Sequence, residues 1–105
     1  MEFITIYTSY PNSEVGKKLS KKLTNDIFTY KIPACITNYP VNSSYIWQGK
    51  INNDKEIEVI IKSSINFYQQ ISKLIIANHC YQVPQIFYQT ISGGSEEYLN
   101  WLKNL

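Results

Sequence analysis

The stretch Tyr45–Lys62, YIWQGKINNDKEIEVIIK, decides the fold. It reads as a long hairpin: an aromatic strand, a polar turn expected at Asn52-Asn53-Asp54, and a returning strand. In the returning strand Ile57, Val59 and Ile61 alternate with Glu56, Glu58, Ile60 and Lys62. A period of two marks a strand with one face on a core. The charged face then meets either water or a surface that can pair charges.

Working outward, Phe3–Thr8 is rich in Ile, Thr and Tyr and reads as a first strand. Pro11-Asn12-Ser13-Glu14 reads as a helix start, capped by Asn12 or Ser13 with Glu14 at the positive end of the dipole. Val15, Leu19 and Leu23 recur every four residues and predict its buried stripe; Gly16 has no evident reason. Residues 27–33 read as a connector. Ala34–Tyr39 reads as a second strand, which Pro40 and then Asn42-Ser43-Ser44 are expected to interrupt before it resumes at Tyr45. Ser63 or Ser64 caps a second helix carrying Ile65, Tyr68, Ile71, Leu74, Ile75 and Asn78 at helical spacing. Residues 79–84 form a connector, Gln85–Ile91 a fourth strand, and Gly93-Gly94 a turn. Ser95 caps a last helix with Tyr98, Trp101, Leu102 and Leu105 on its apolar side.

The order is β-α-β-β-α-β plus a terminal helix, the ferredoxin-like α+β sandwich. Right-handed crossovers put both helices on one face of an antiparallel sheet of order 4-1-3-2. The whole of 1–105 reads as one domain.

Composition excludes several function classes. With 44% apolar and 17% charged residues the chain is globular. A net charge of +2 is too mild to imply nucleic acid. Lys17, Lys18, Lys21 and Lys22 read as a solvated helix face, and no nucleic-acid motif accompanies them. The two cysteines, Cys35 and Cys80, lack CxxC spacing and point to a reducing compartment. MEFITIYTS has no basic n-region and no stretch is long enough to span a membrane, so the cytoplasm is the default. Nine tyrosines and two tryptophans suit half-buried strands or subunit interfaces.

Each arm of the hairpin has about twelve residues, or roughly 40 Å. A 100-residue domain has a radius of gyration near ~13 Å. The arm is therefore expected to overhang, baring backbone edges and Tyr45 and Trp47. Such edges invite pairing with another chain, and a closed ring of identical subunits would cover them.

The motifs resemble those of the CutA (divalent-cation-tolerance) family. Tyr45-Ile46-Trp47-Gln48-Gly49-Lys50 resembles its YxWxGK motif, and Ala34-Cys35 with Pro40 its AC-x(4)-P segment. Glu58 and Lys62 match its acid-x(3)-Lys strand. His79, Tyr81 and Pro84 match its HPYxxP segment, and Tyr98–Leu102 its YLxWL tail. The resemblance implies a homotrimer similar to the PII nitrogen-signalling proteins and a role in tolerance of copper and other divalent metals. Four positions depart from the family: Tyr7 stands for a strand-one cysteine, Asn78 for a second histidine, Cys80 for the motif proline, and Gln85 for a glutamate.

Three readings of the chemistry follow. In the first, His79, Cys80 and Cys35 are metal candidates, since imidazole and thiolate suit copper or another soft divalent cation. The alternative is a helix-terminal His79 and a buried, apolar Cys35. The four strands are expected to bring Tyr7, Cys35, Lys62 and His79 to the same end of the sheet. With strands two and four outermost, Cys35 and His79 would be about 14 Å apart and could share a metal only between subunits. In the second reading, Trp47, Glu58, Lys62 and Tyr81 line an inter-subunit cleft for a small ligand, as the PII likeness suggests. The alternatives are a Glu58–Lys62 ion pair between strands or between subunits, with Tyr45 and Trp47 as interface anchors beside Lys50 of the same motif. The third reading, an enzyme, is not expected. There is one histidine, no GxSxG and no P-loop.

Overall fold

The computed structural model describes residues 2–105. The elements are β1 (Phe3–Pro11), α1 (Glu14–Thr29), β2 (Cys35–Trp47), β3 (Lys50–Ser64), a 3₁₀ turn (Ile65–Phe67), α2 (Tyr68–Ala77), β4 (Phe87–Thr90) and α3 (Glu96–Lys103). The sheet order is β2-β3-β1-β4, antiparallel throughout, which is the expected ferredoxin-like arrangement. Ile4, Ile6 and Tyr10 of β1 and Ile57, Val59 and Ile61 of β3 are buried with Leu23 and Ile27 of α1 and Ile71 and Ile75 of α2. The alternation read from residues 56–62 thus builds the core.

The hairpin differs from expectation at its turn. The strands run to Trp47 and Lys50, so the turn is Gln48-Gly49, and Asn52–Asp54 lie within β3. Both turn residues have positive φ, 51° at Gln48 and 75° at Gly49. That is the requirement of a two-residue type I′ hairpin, whose twist matches the strands. Nor does Pro40 interrupt β2. The register from Cys35↔Lys62 to Trp47↔Lys50 is unbroken, with Pro40 opposite Ile57. Proline is tolerated because β2 is an edge strand that need not donate outward.

β1 pairs with β3 only from Glu56 to Ser64. Residues 42–47 and 50–55 therefore have no further strand beside them and form the overhanging arm, whose base is tied to the body by the Asn12 N–H donating to the Lys55 carbonyl at 2.9 Å. Six pairs extend about 20 Å, and the long axis of the chain is 45 Å. The arm's tip carries exposed apolar or aromatic side chains on both faces, with Lys50 and Asn52 beside Trp47 and Tyr45 on one of them. Ile46 and Ile51 face each other across the ladder and are 74% and 76% exposed. Tyr45 and Trp47, on the alternate face, are exposed as well.

The helices also run differently at their ends. α1 continues to Thr29, so Ile27 belongs to the buried stripe rather than to a connector. Val15 is 59% exposed and does not belong to it. Ser13 is the cap, its Oγ accepting from the Gly16 N–H at 3.2 Å. Gly16 now has a reason: a β-carbon there would lie 1.8 Å from the Pro11 carbonyl oxygen. The glycine lets α1 start flush against the end of β1. The four α1 lysines are all exposed, as a solvated face requires. Ser64 caps the 3₁₀ turn that leads into α2, and Ser95 caps α3. β4 is shorter than expected, four residues rather than seven. Among the described residues no helix is long and apolar enough to cross a membrane.

Candidate functional site

The site is built where β1 ends. Tyr10 points into the core, and its hydroxyl donates to the Asn78 carbonyl at 2.7 Å. Asn78 closes α2 and is itself buried, its Nδ2 donating to Asp26 Oδ2 at 2.9 Å and to the Leu74 carbonyl at 3.0 Å. It therefore ties α2 to α1. The hydrogen bonds from Lys22 and then Asn78 hold the Asp26 carboxyl below its ordinary range.

His79 follows and lies flat on Tyr10, ring centroids 4.2 Å apart and planes 13° apart. Its Nε2 is 2.7 Å from the Ser9 carbonyl oxygen, and its Nδ1 accepts the N–H groups of Cys80 and Tyr81 at 3.0 and 3.1 Å. Burial holds the imidazole below its ordinary value, opposed by the Ser9 carbonyl and by Glu56. The neutral ring is the one that fits, because Nδ1 must accept. Its folded value lies below the unfolded value near ~6.5. Its contribution to stability is therefore full above that value and is lost as pH falls through the folded one. Urea melts of wild type and His79→Asn should converge as pH drops from neutral towards 5. A gap that does not narrow would contradict this.

Residues 80–85 and the overhanging arm enclose a cleft of about 430 Å³, lined mainly by Tyr45, Trp47, Glu56, Cys80, Tyr81 and Gln85. Glu56 is only 7% exposed and accepts from the Tyr81 hydroxyl at 2.6 Å. Gln85 Nε2 donates to Glu58 at 3.0 Å, while its Oε1 accepts from the Ser9 hydroxyl at 3.4 Å. The Tyr45 hydroxyl donates to Asp54. Asp54, Glu56 and Glu58 thus share one face of β3, and each takes a neutral donor. The ion pair found among the described residues is elsewhere, Lys22–Asp26 at 2.9 Å. Burial pushes the Glu58 carboxyl up, with the Gln85 hydrogen bond opposing and the Glu56 charge adding. Burial, and then Glu56, raise the Tyr81 hydroxyl. Tyr81→Phe leaves a buried carboxylate short of its donor and should cost about 1–3 kcal/mol of stability. Equal urea midpoints for variant and wild type would refute that.

The structure gathers some of the residues singled out from the sequence and separates others. Tyr45, Trp47, Cys80 and Tyr81 line the cleft, and Glu58 adjoins it through Gln85. Lys50 sits at the exposed tip of the arm beside the turn. Cys35 and Lys62 lie opposite each other and level with Thr5, whereas His79 bonds to Ser9. Four residues of β1 separate the two levels, about 13 Å. The expectation of one shared end is thus corrected. β3 runs against β1 and β2, so its last residues meet their first ones. Within one chain Lys62 is out of reach of Glu58, four residues along the same strand, and Cys35 and His79 sit at opposite ends. Among the described residues no three His, Cys, Asp or Glu side chains gather to hold a metal ion. The donors of a single chain therefore do not fit a complete metal site.

Glu56, Ser9 and Gln85 were not singled out as site residues. Glu56 was legible, since it shares a face with Glu58 two positions away. The other two depend on where residues 80–85 fold back, which no local pattern encodes. Three of the four residues that depart from the family pattern have local work in their side chains. Tyr7 stacks on Phe87 at 4.7 Å and donates to Gln89. Asn78 and Gln85 make the hydrogen bonds described above.

Residues 4–105 match the family described as CutA1 divalent ion tolerance protein. The chain is 40% identical over 102 residues to the chloroplastic protein CutA of Arabidopsis thaliana, covering 96% of this chain and 54% of that protein. It thus spans about half the length of that plant relative. It is 31% identical over 104 residues to the divalent-cation tolerance protein CutA of Thermus thermophilus, covering 98% and 96% of the two chains. The crystal structure of CutA1 from Oryza sativa superposes with a TM-score of 0.83 at 36% identity, over 99% of this chain and 93% of that one.

Proposed function

The chain belongs to the CutA1 divalent ion tolerance family, and on that premise we propose that it works as a homotrimer that binds a divalent cation, copper first, at the cleft beside the arm. Binding, rather than catalysis, is the activity, and the reducing cell interior, the cytoplasm by default, is the compartment that two unpaired cysteines favour. The observation that carries this reading is the cleft itself. Its lining presents the buried Glu56 carboxylate and the exposed Cys80 thiol, and no ammonium group. Such a lining suits a cation and disfavours an anion. Because one chain does not gather a full donor set, the reading requires a neighbouring copy to complete the site. The bare apolar tip of the arm supplies the reason for that neighbour.

Calorimetric titration of the full chain with Cu(I), Cu(II) and Zn(II) tests it. A saturable site is expected, weakened about tenfold or more by Glu56→Gln with Cys80→Ser. Silence for all three metals would overturn it. A second reading, a PII-like sensor of small molecules, is favoured by the organic character of Tyr45, Trp47, Tyr81 and Val83 in the same lining. It is distinguished by a rise in melting temperature with nucleotides and none with metals.

A further inference from the structure

We infer that His79 is a positioning residue for the cleft, a splint that sets Cys80 and Tyr81 in place, and not itself a cation ligand. The inference rests on the cleft being the binding place, but its geometry is independent of what binds there. The Ser9 carbonyl can only accept, so Nε2, at 2.7 Å, carries the proton. The backbone N–H groups of Cys80 and Tyr81 can only donate, so Nδ1, at 3.0 and 3.1 Å, offers its lone pair. The ring is thereby the neutral Nε2–H tautomer. A metal needs an in-plane lone pair on one nitrogen. One is protonated, and the other already serves two N–H groups. One face is occupied too, since the ring stacks on Tyr10, which is fixed through its hydroxyl to Asn78.

What the ring holds is the wall of the cleft. Cys80 and Tyr81, the two residues whose amides it binds, both line the cleft, and Tyr81 carries the hydroxyl that meets Glu56. The link to Ser9 fastens that wall to β1, and Ser9 in turn touches Gln85, which holds Glu58. The imidazole therefore sets where a thiol, a phenol and two carboxylates stand without facing the ligand. The residue type follows from this. Few side chains present an acceptor and a donor at opposite edges of one rigid plate.

The test is a long-range ¹H–¹⁵N spectrum of the uniformly labelled full chain, with and without Zn(II). The expected result is a protonated Nε2 and a bare Nδ1, both unmoved by zinc, while the Cys80 and Tyr81 amides shift. A protonated Nδ1, or either ring nitrogen moving on zinc addition, would overturn the inference. Two variants separate the roles further. His79→Gln can still reach Ser9 but loses the acceptor, and should weaken zinc binding about tenfold. His79→Asn keeps the acceptor near its place and should bind close to wild type. Equal and complete loss in both would mark a ligand. Should zinc leave every resonance unmoved, the same spectra are recorded with Cu(I), and silence there as well fails the cation reading of the cleft. The positioning role would then be decided by the tautomer, and by faster amide exchange at Cys80 and Tyr81 in His79→Gln, whose absence would overturn it.

Discussion

Replacing Ile46 and Ile51 together by lysine is expected to turn an assembly of copies into single folded chains. The two side chains face each other at the tip of the arm and are 74% and 76% exposed in one chain. Each isoleucine stabilises by roughly 1.5–3 kcal/mol when covered, and the gain recurs at every equivalent contact in a ring. Lysine removes that gain and adds the cost of an unpaired charge in an apolar contact, several kcal/mol more. The domain itself should survive, since neither residue touches its core. Sedimentation should show a drop in mass with unchanged far-ultraviolet circular dichroism. An unchanged mass would mean that the tip does not lie in an interface.

Gly16→Ala should be the most damaging small substitution within the domain. Alanine in a helix is ordinarily worth about 1 kcal/mol over glycine. Here its methyl would enter a space 1.8 Å from the carbonyl oxygen of Pro11 and 2.9 Å from the carbonyl carbon. Both are backbone atoms, so no rotamer change relieves the clash. α1 would have to lift away from β1, and α1 carries Leu23 and Ile27 into the core. Strain of that kind costs about 1–3 kcal/mol or more. A 1.8 Å approach to backbone places it at the upper end of that range, where it outweighs the helix gain for a net loss of about 2 kcal/mol in chemical denaturation. An alanine variant as stable as wild type would show that helix and strand do not meet this closely.

Much of the fold is legible in the sequence. The alternation of Ile57, Val59 and Ile61 placed β3 and its buried face, and helical spacing placed Ile71 and Ile75. The length of the arms announced the overhang. What escaped were features set by geometry beyond the local pattern. Asn52-Asn53-Asp54 has turn composition, yet Gln48-Gly49 makes the turn, because hairpin twist selects two positive-φ residues over polarity. Pro40 reads as a breaker, but an edge strand leaves its missing donor harmless. The cleft was half legible. Its aromatics and Tyr81 stood out as motif residues and Glu56 shares the face of Glu58, while Ser9 and Gln85 join only where residues 80–85 fold back. That Cys35 and His79 stand apart was legible from the strand order, which puts β2 and β4 outermost; that they also lie at opposite ends follows from strand direction.

The most direct measurement is the mass of the intact chain in solution, by light scattering across the micromolar range. A tip with Ile46 and Ile51 bare on one face and Tyr45 and Trp47 exposed on the other, beside a cleft whose donors are incomplete in one chain, calls for sister copies. Three times the 12.2 kDa chain mass is expected, unchanged on dilution. A particle of 12.2 kDa at every concentration would contradict both the covered arm and the shared cleft.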